Sequence, residues 1–294
     1  MQTSLVIATR GRPNLLRQTL KSLRECDPRP DELIVVDGDE RQSARIVVEE
    51  HRAAGDSPPA RYLSGTVGLT LQRNRGLDAA EGSIVVFCDD DVELRPDAFG
   101  KLFRAFDEVD VVGASGRVIE RGRARIGSGE SSIRRLAPGR QRQGTMAPSG
   151  FPRRLVDPTE ARDLEFLSGC FMAARRDAAV QVRFDEKLSG YALAEDEDFG
   201  YRLSRLGRLK YVPDAVLVHK VTGFTTTDQR AFNRMLVRNR AYLFHKNFPQ
   251  TLTARFRFLA MIVVLAIHRT LNREWAGLRG LADGAWQLWV RRAA

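Results

Sequence analysis

No CxxC pair occurs in this chain of 294 residues, and its three cysteines, Cys26, Cys88 and Cys170, are odd in number. That argues against a disulfide framework and for a reducing compartment. No stretch reaches the roughly 18 to 20 apolar residues that cross a bilayer. The start, MQTSLVIATR, has neither the basic region nor the long apolar run of a signal peptide. A cytoplasmic location is therefore expected. Internal repeats are missing too. So are the nucleotide-binding fingerprints: the first apolar run is followed by Ala8-Thr9-Arg10-Gly11-Arg12-Pro13, neither GxGxxG nor GxxxxGK. This removes the dehydrogenase and P-loop classes.

Acidic residues are nearly missing from the C-terminal fifth. Residues 229–294 hold 12 Lys and Arg against Glu274 and Asp283 alone, and so carry the whole net charge of +10. Residues 1–228 hold 35 basic and 35 acidic residues and are neutral. A uniformly basic nucleic-acid binder would not be divided in this way, and no nucleic-acid partner is expected. A neutral enzyme with a basic anchoring tail would be.

What is present is apolar content enough for a packed core: 43% of residues are hydrophobic and 29% charged, which excludes disorder as the main state. Short apolar runs alternate with helical patterns. Leu5–Ala8, Leu33–Val36 and Ile84–Cys88 read as buried strands, with a shorter one near Tyr62-Leu63 and another over 109–114. A helix capped by Asn14 buries Leu15, Leu16, Thr19, Leu20 and Leu23. Others are expected over 43–53 and 70–80, and from Pro96 with Phe99, Leu102, Phe103 and Phe106 on one side. Continuous β-branched strands with helices between them imply an α/β fold, one mostly parallel sheet covered on both faces. Residues 117–154, with ten Arg and two acids, break the pattern and read as a long mobile loop. Regular structure resumes as a strand from Phe166. A helix over 195–206 turns Phe199, Leu203 and Leu206 inward, and a strand over 216–218 ends at His219. Beyond residue 228 the pattern is helical.

Ligands of open α/β sheets sit at the carboxyl ends of the strands. Here those ends present Thr9-Arg10, Asp37 and the triplet Asp89-Asp90-Asp91 toward one crevice. Cationic side chains suit a phosphate, and a lone carboxylate can accept hydrogen bonds from a base or ribose. Closely spaced carboxylates beside phosphates suit a hard divalent cation. Each feature has a plainer reading. Asp37-Gly38 is an ordinary turn, Glu195–Asp198 an acidic helix start, and His219 a structural histidine.

Taken together, Ser4–Arg12, Leu33–Asp39, Gln72–Gly76, Phe87–Val92 and Ala194–Leu203 resemble the family 2 glycosyltransferases of the GT-A fold. The match runs in the expected order from residue 3 to about 220. It implies a single Rossmann-like sheet in a glycosyltransferase domain over 1–228, with a donor half to about 115 and an acceptor half from about 116. A basic helical region over 229–294 follows. The implied donor-contacting residues are Ala8, Thr9, Arg10, Arg12, Asp37, Arg73, Asn74, Asp89 and Asp90. The triplet looks like the DxD motif, with Asp91, Asp89 and His219 as implied ligands of Mg²⁺ or Mn²⁺. The family's ED motif falls on Glu195-Asp196, with Asp196 as the implied base and Glu195 the alternative; the preceding residue, usually Gly, is here Ala194. Gly169 and Cys170 match the acceptor side, where Gly169 would let a sugar approach the backbone. The implied reaction is metal-dependent, inverting transfer from a UDP-, dTDP- or GDP-linked sugar to a glycan or polyprenyl-linked acceptor. A nucleotidyltransferase is the nearest alternative, though Ala8–Pro13 is poor in glycine for one.

In the tail, Phe258–Ile267 is a run of ten apolar residues flanked by Arg255, Arg257, His268 and Arg269. As a helix it spans about 15 Å, half a bilayer core. Two readings stand open: packing against protein, including a homodimer partner, or lying on anionic lipid. Trp275, Trp286 and Trp289 among arginines favour lipid, and hence a peripheral place on the inner face of the cell membrane. On that reading, Asp at Ile262 and Leu265 should release the protein.

Overall fold

Leu33-Ile34-Val35-Val36 and Ile84-Val85-Val86-Phe87 offer water no polar side chain, so each run must be covered on both faces. In the computed structural model, which describes residues 1–55, 58–65, 67–121, 143–155, 159–220 and 228–293, both are fully buried. The chain forms two compact units, one of residues 1–122 and 156–221, the other of residues 123–155 and 222–294.

The first unit opens with β1 (Thr3–Thr9), α1 (Pro13–Arg24), β2 (Glu32–Asp37), α2 (Arg45–Ala53), β3 (Ala60–Ser64), α3 (Leu69–Ala79) and β4 (Ile84–Cys88). A short β5 (Val92–Leu94), α4 (Ala98–Phe103) with a 3₁₀ turn, and β6 (Val111–Arg121) follow. β7 (Arg162–Leu164), β8 (Phe171–Arg175), α5 (Arg176–Val182), α6 (Glu195–Leu203) and β9 (Arg208–Lys220) complete it. These strands form one sheet in the order β3-β2-β1-β4-β8-β6-β9-β5, with β7 also on β9. The sheet is parallel through β3-β2-β1-β4 and mixed beyond. Leu5, Ile7, Leu33, Val35, Ile84 and Val86 form its main core with Leu16, Leu20 and Leu23 of α1.

Several boundaries differ from expectation. α1 begins at Pro13 rather than at an Asn14 cap, because proline's fixed φ suits the first helical position. The strand expected from Phe166 begins at Phe171, where pairing with β4 starts. α6 stops at Leu203, leaving Leu206 41% exposed. Residues 117–121, assigned to a loop by their arginines, extend β6 along β9. The middle of that expected loop lies outside the described residues.

The second unit contains α7 (Gln229–Asn247), α8 (Leu252–Leu271) and α9 (Trp275–Ala293). Asp228 and Thr251 cap α7 and α8 by accepting the N–H groups of Ala231 and Ala254. Gly277, Gly280 and Gly284 let α9 lie close on α7; a Cβ at Gly280 would stand 2.2 Å from the Arg230 carbonyl oxygen. Residues 143–155, expected with the acceptor half, belong to this unit. The Phe151 ring lies 6.0 Å from that of Phe258, under the Arg240 guanidinium at 5.2 Å.

Candidate active site

Strand register assembles the site. β1 pairs Thr9 with Asp37 and Ile7 with Cys88, so Thr9, Asp37 and Asp89–Asp91 leave the sheet at one edge. β8 runs antiparallel to β4 with Phe171 opposite Cys88, which brings Ser168–Cys170 to the same edge. β5 pairs Val92 with His219, which sets His219 beside Asp91.

Arg73 of α3 ties the edge together. Its guanidinium, 3% exposed, donates to Glu195 at 2.6 Å, to Asp89 at 3.2 Å and to the Gly169 carbonyl at 3.0 Å. Burial would lower its pKa, but Glu195, Asp89 and Asp196 hold it above the ordinary value. Glu195 is buried at the head of α6; burial, with Asp196 beside it, pushes its carboxyl up to about 8 against the pull of Arg73. Asp196 is only half-buried. One of its oxygens accepts the Gly169 N–H at 2.8 Å, and the α6 N-terminus favours its negative charge. A Cβ on Gly169 would stand 3.1 Å from the Arg73 guanidinium and 3.2 Å from the Asp196 Cβ. Glycine here makes room for those two side chains.

An aromatic trio fixes these pieces from below. Phe87 of β4, Phe184 and Phe199 of α6 pack with centroids 4.3–6.1 Å apart, and Arg73 lies 5.4 Å over the Phe184 ring.

On the other flank, Arg12 bridges Asp90 at 2.5 Å and Asp91 at 3.0 Å. His219 Nε2 lies 3.1 Å from Asp91 Oδ1 and 4.0 Å from Asp89 Oδ2. Burial would raise the Asp91 pKa, yet His219 and Arg12 hold it below the carboxylate range. Burial opposes charge on His219 as well, but Asp91 and then Asp89 hold its imidazole above the ordinary value. Ligand atoms of Asp89, Cys170 and His219 lie within 4.8 Å of one another. His219 Nδ1 is buried without a hydrogen-bond partner among the described residues. Carboxylate and imidazole donors fit a divalent cation such as Mn²⁺, and a thiol adds a softer one.

Three residues expected to contact the donor are held by hydrogen bonds within the protein. Asp90 is wholly buried, takes the Thr9 hydroxyl at 2.5 Å as well as Arg12, and is pushed up to about 6 by burial. Asn74 is buried and engages Phe184 and Glu186, so it braces α3 rather than facing the crevice. Asp37 is 1% exposed, and its carboxylate accepts the N–H groups of Asp39 and Ala44 and the Tyr62 hydroxyl. Ala8 is half-buried and Arg10 exposed at the mouth of the β1 loop. Cys170, expected on the acceptor side, has its thiol close to Asp89 and His219.

Two contributors were not foreseen. Gln72 donates to the carbonyls of Thr9 and Val36, locking the ends of β1 and β2. Tyr191 precedes α6; the residue is 46% exposed, and desolvation of its hydroxyl with Glu195 and Asp89 nearby raises its phenol above the ordinary value. Gln72 opens the QRNRG segment that the sequence did single out; nothing in local pattern marks Tyr191.

Residues 4–183 match the family model for glycosyl transferase family 2. The chain belongs to that family. Two curated relatives share the resemblance over part of their length. The chain is 31% identical over 110 residues (37% of its length) to EpsH of Bacillus subtilis, named a glycosyltransferase. It is 31% identical over 109 residues (36%) to the GalNAc(5)-diNAcBac-PP-undecaprenol β-1,3-glucosyltransferase of Campylobacter jejuni. The matches span about a third of each relative, 32% and 34%. Among solved structures, the mannosyltransferase PcManGT from Pyrobaculum calidifontis, in complex with GDP-Man and Mn²⁺, superposes with a TM-score of 0.61. It is 16% identical, over 98% of this chain and 87% of that one. The likeness shows a GT-A fold.

Proposed function

We propose that the protein is a metal-dependent, inverting glycosyltransferase that moves a sugar from a nucleotide-sugar donor to a hydroxyl of a glycan or polyprenyl-linked acceptor at the inner face of the membrane. The observation that carries this reading is the half-buried Asp196, held by Gly169 on the same edge as Asp89, Asp91 and His219. Family membership agrees with it, as do the GDP-Man and Mn²⁺ bound to the mannosyltransferase and the undecaprenol-linked substrate named for the Campylobacter enzyme.

In this mechanism the donor lies across the carboxyl ends of β1, β2 and β4, with Arg10 and Arg12 within reach of its phosphates. Asp196 takes the proton of the acceptor hydroxyl. The oxygen bonds to the anomeric carbon from the face opposite the nucleotide, and the bond to the diphosphate breaks with its electron pair leaving on the phosphate oxygen. Asp89, Asp91 and His219 would hold the divalent cation, whose chemistry is to neutralise charge on the leaving diphosphate. Glu195 is buried against Arg73, whereas Asp196 is half-buried and oriented by the N–H groups of Gly169 and Glu197, which favours Asp196 as the base.

The test is incubation of the full chain with UDP-, dTDP- and GDP-sugars, Mn²⁺ or Mg²⁺, and lipid-linked acceptors. Release of nucleoside diphosphate, its loss in excess chelator, and inverted anomeric configuration by NMR are expected. Pyrophosphate as the product would assign a nucleotidyltransferase instead. Full turnover in chelator would remove the metal.

A further inference from the structure

The apolar residues of α8 divide between two sides of the helix. Ala254, Phe258 and Leu265 are buried within the second unit. Leu252, Phe256, Leu259, Val263, Ile267 and Leu271 are 53–84% exposed. Steps of three and four residues place these six on one stripe, which runs the ~30 Å of a 20-residue helix. Single exposed apolar residues are ordinary on protein surfaces, but a continuous stripe marks a surface that meets something other than water.

Charge identifies what it meets. Arg255 and Arg257, both exposed, lie along the two borders of the stripe at 100° per residue, and exposed Arg273 follows its end. The two acids of residues 229–294 are already engaged, Glu274 by Arg269 and Asp283 by Arg230. A second copy of this face would bring the same arginines and no acid of its own to meet them, since an isologous contact uses the same patch on both subunits. Lipid phosphates offer the opposite sign. Exposed Trp275 and Trp286 on α9 are residues that settle at headgroup level. No described helix is long and apolar enough to cross a membrane, and an apolar stripe with polar borders suits a helix lying in the plane of the interface.

We propose that α8 is an interfacial helix that lies along an anionic bilayer, its stripe in the acyl boundary and Arg255, Arg257 and Arg273 on lipid phosphates. This deepens the membrane part of the proposed function and rests on that part alone.

The experiment is co-sedimentation of the full chain with vesicles of phosphatidylglycerol and phosphatidylcholine in equal parts, and of phosphatidylcholine alone. Wild type should partition strongly onto the anionic vesicles and weakly onto the neutral ones. Val263→Asp/Ile267→Asp and Arg255→Glu/Arg257→Glu should each lose about tenfold or more, as each basic side chain near an anionic surface is worth ~1 kcal/mol. Should the aspartates unfold the helix by circular dichroism, Val263→Ser/Ile267→Ser carries the same test. Equal binding by wild type and stripe variants, or no binding by wild type, overturns the proposal. So does a wild-type dimer, dispersed by the stripe variant in ultracentrifugation, that ignores vesicles. Nucleoside diphosphate release is read beside it without vesicles: its absence would sink the transferase reading and leave the vesicle result standing.

Discussion

At the scale of single residues the site depends on one buried cation. Arg73 donates to Glu195 and Asp89 together, so Arg73→Ala should cost roughly 3–5 kcal/mol, the usual consequence of stranding buried partners. Chemical denaturation would measure it, and a loss below ~1 kcal/mol would mean that the pair is well solvated. Glu195 and Asp196 should part company in kinetics. Asp196→Asn should keep donor affinity and lower turnover by roughly 10² to 10⁴, the worth of a positioned base. Glu195→Gln should act mainly on stability. With its folded-state pKa raised to about 8, Glu195 keeps a proton that the unfolded chain gives up near ~4.3. Its stabilising contribution is therefore full below pH ~4.3 and is lost as pH rises toward 8. Wild-type Tm should fall across pH 5 to 8.5 more steeply than that of Glu195→Gln. Each ~1 kcal/mol of difference should appear as roughly 2–4 °C. Parallel curves would place the Glu195 carboxyl in the ordinary range. Adjacent acids at a helix start looked alike in sequence; the division of labour proposed for them depends on Arg73, 122 positions away from Glu195.

At the scale of elements, what was legible followed from local pattern. β2 and β4 were readable because a run with no polar residue has one solution in an α/β fold, and their ends carried Asp37 and Asp89–Asp91. Pairing partners far along the chain were not readable. The antiparallel insertion of β8 between β4 and β6 brings Cys170 to Asp89 and His219, and no periodicity in Phe166–Cys170 announces it. Nor could sequence show that Asp90 turns inward while its two neighbours face the site. The trio Phe87, Phe184 and Phe199 is the joint by which β4 and α6 share one position. Phe199→Ala should cost about 3–5 kcal/mol, as large aromatic truncations in cores do. It should also lower turnover more than donor affinity, because α6 carries Asp196 while the proposed donor edge lies on β1, β2 and β4. Paired measurement of stability and of kcat against KM decides it; a rise in KM alone would mean that the trio supports the donor side instead.

At the scale of the molecule, charge and apolar surface are segregated: residues 1–228 are neutral, and residues 229–294 hold +10 with the α8 stripe. The segregation of charge was plain from sequence, but the orientation of the helix was not. A contiguous run over 258–267 suggested Ile262 and Leu265 as membrane-facing, whereas Leu265 is buried in a core with Val237 and Leu281, and Ile262 packs against it. The exposed stripe starts earlier, at Leu252, and follows helical spacing rather than the run. Acids at Ile262 and Leu265 would therefore damage the helical unit itself, and Val263 and Ile267 are the informative positions. The same segregation separates two contributions by salt. Between 0.1 M and 1 M the Debye length shrinks from about 10 Å to about 3 Å, which suppresses attraction between arginines and phosphates. The stripe should be little affected, since burying each CH₂ is worth ~0.8 kcal/mol through the hydrophobic effect. Wild type should thus weaken in high salt to a residual level, and Arg255→Glu/Arg257→Glu should converge on that level. Val263→Asp/Ile267→Asp should stay detached at both salt concentrations. Nucleoside diphosphate release should differ little among the three proteins, because the substituted residues belong to the second unit and every candidate site residue to the first. Vesicle co-sedimentation at the two salt concentrations reads all three proteins. Complete release of wild type at 1 M, to the level of the stripe variant, would show that charge alone holds it and that the exposed stripe of α8 does not enter the bilayer.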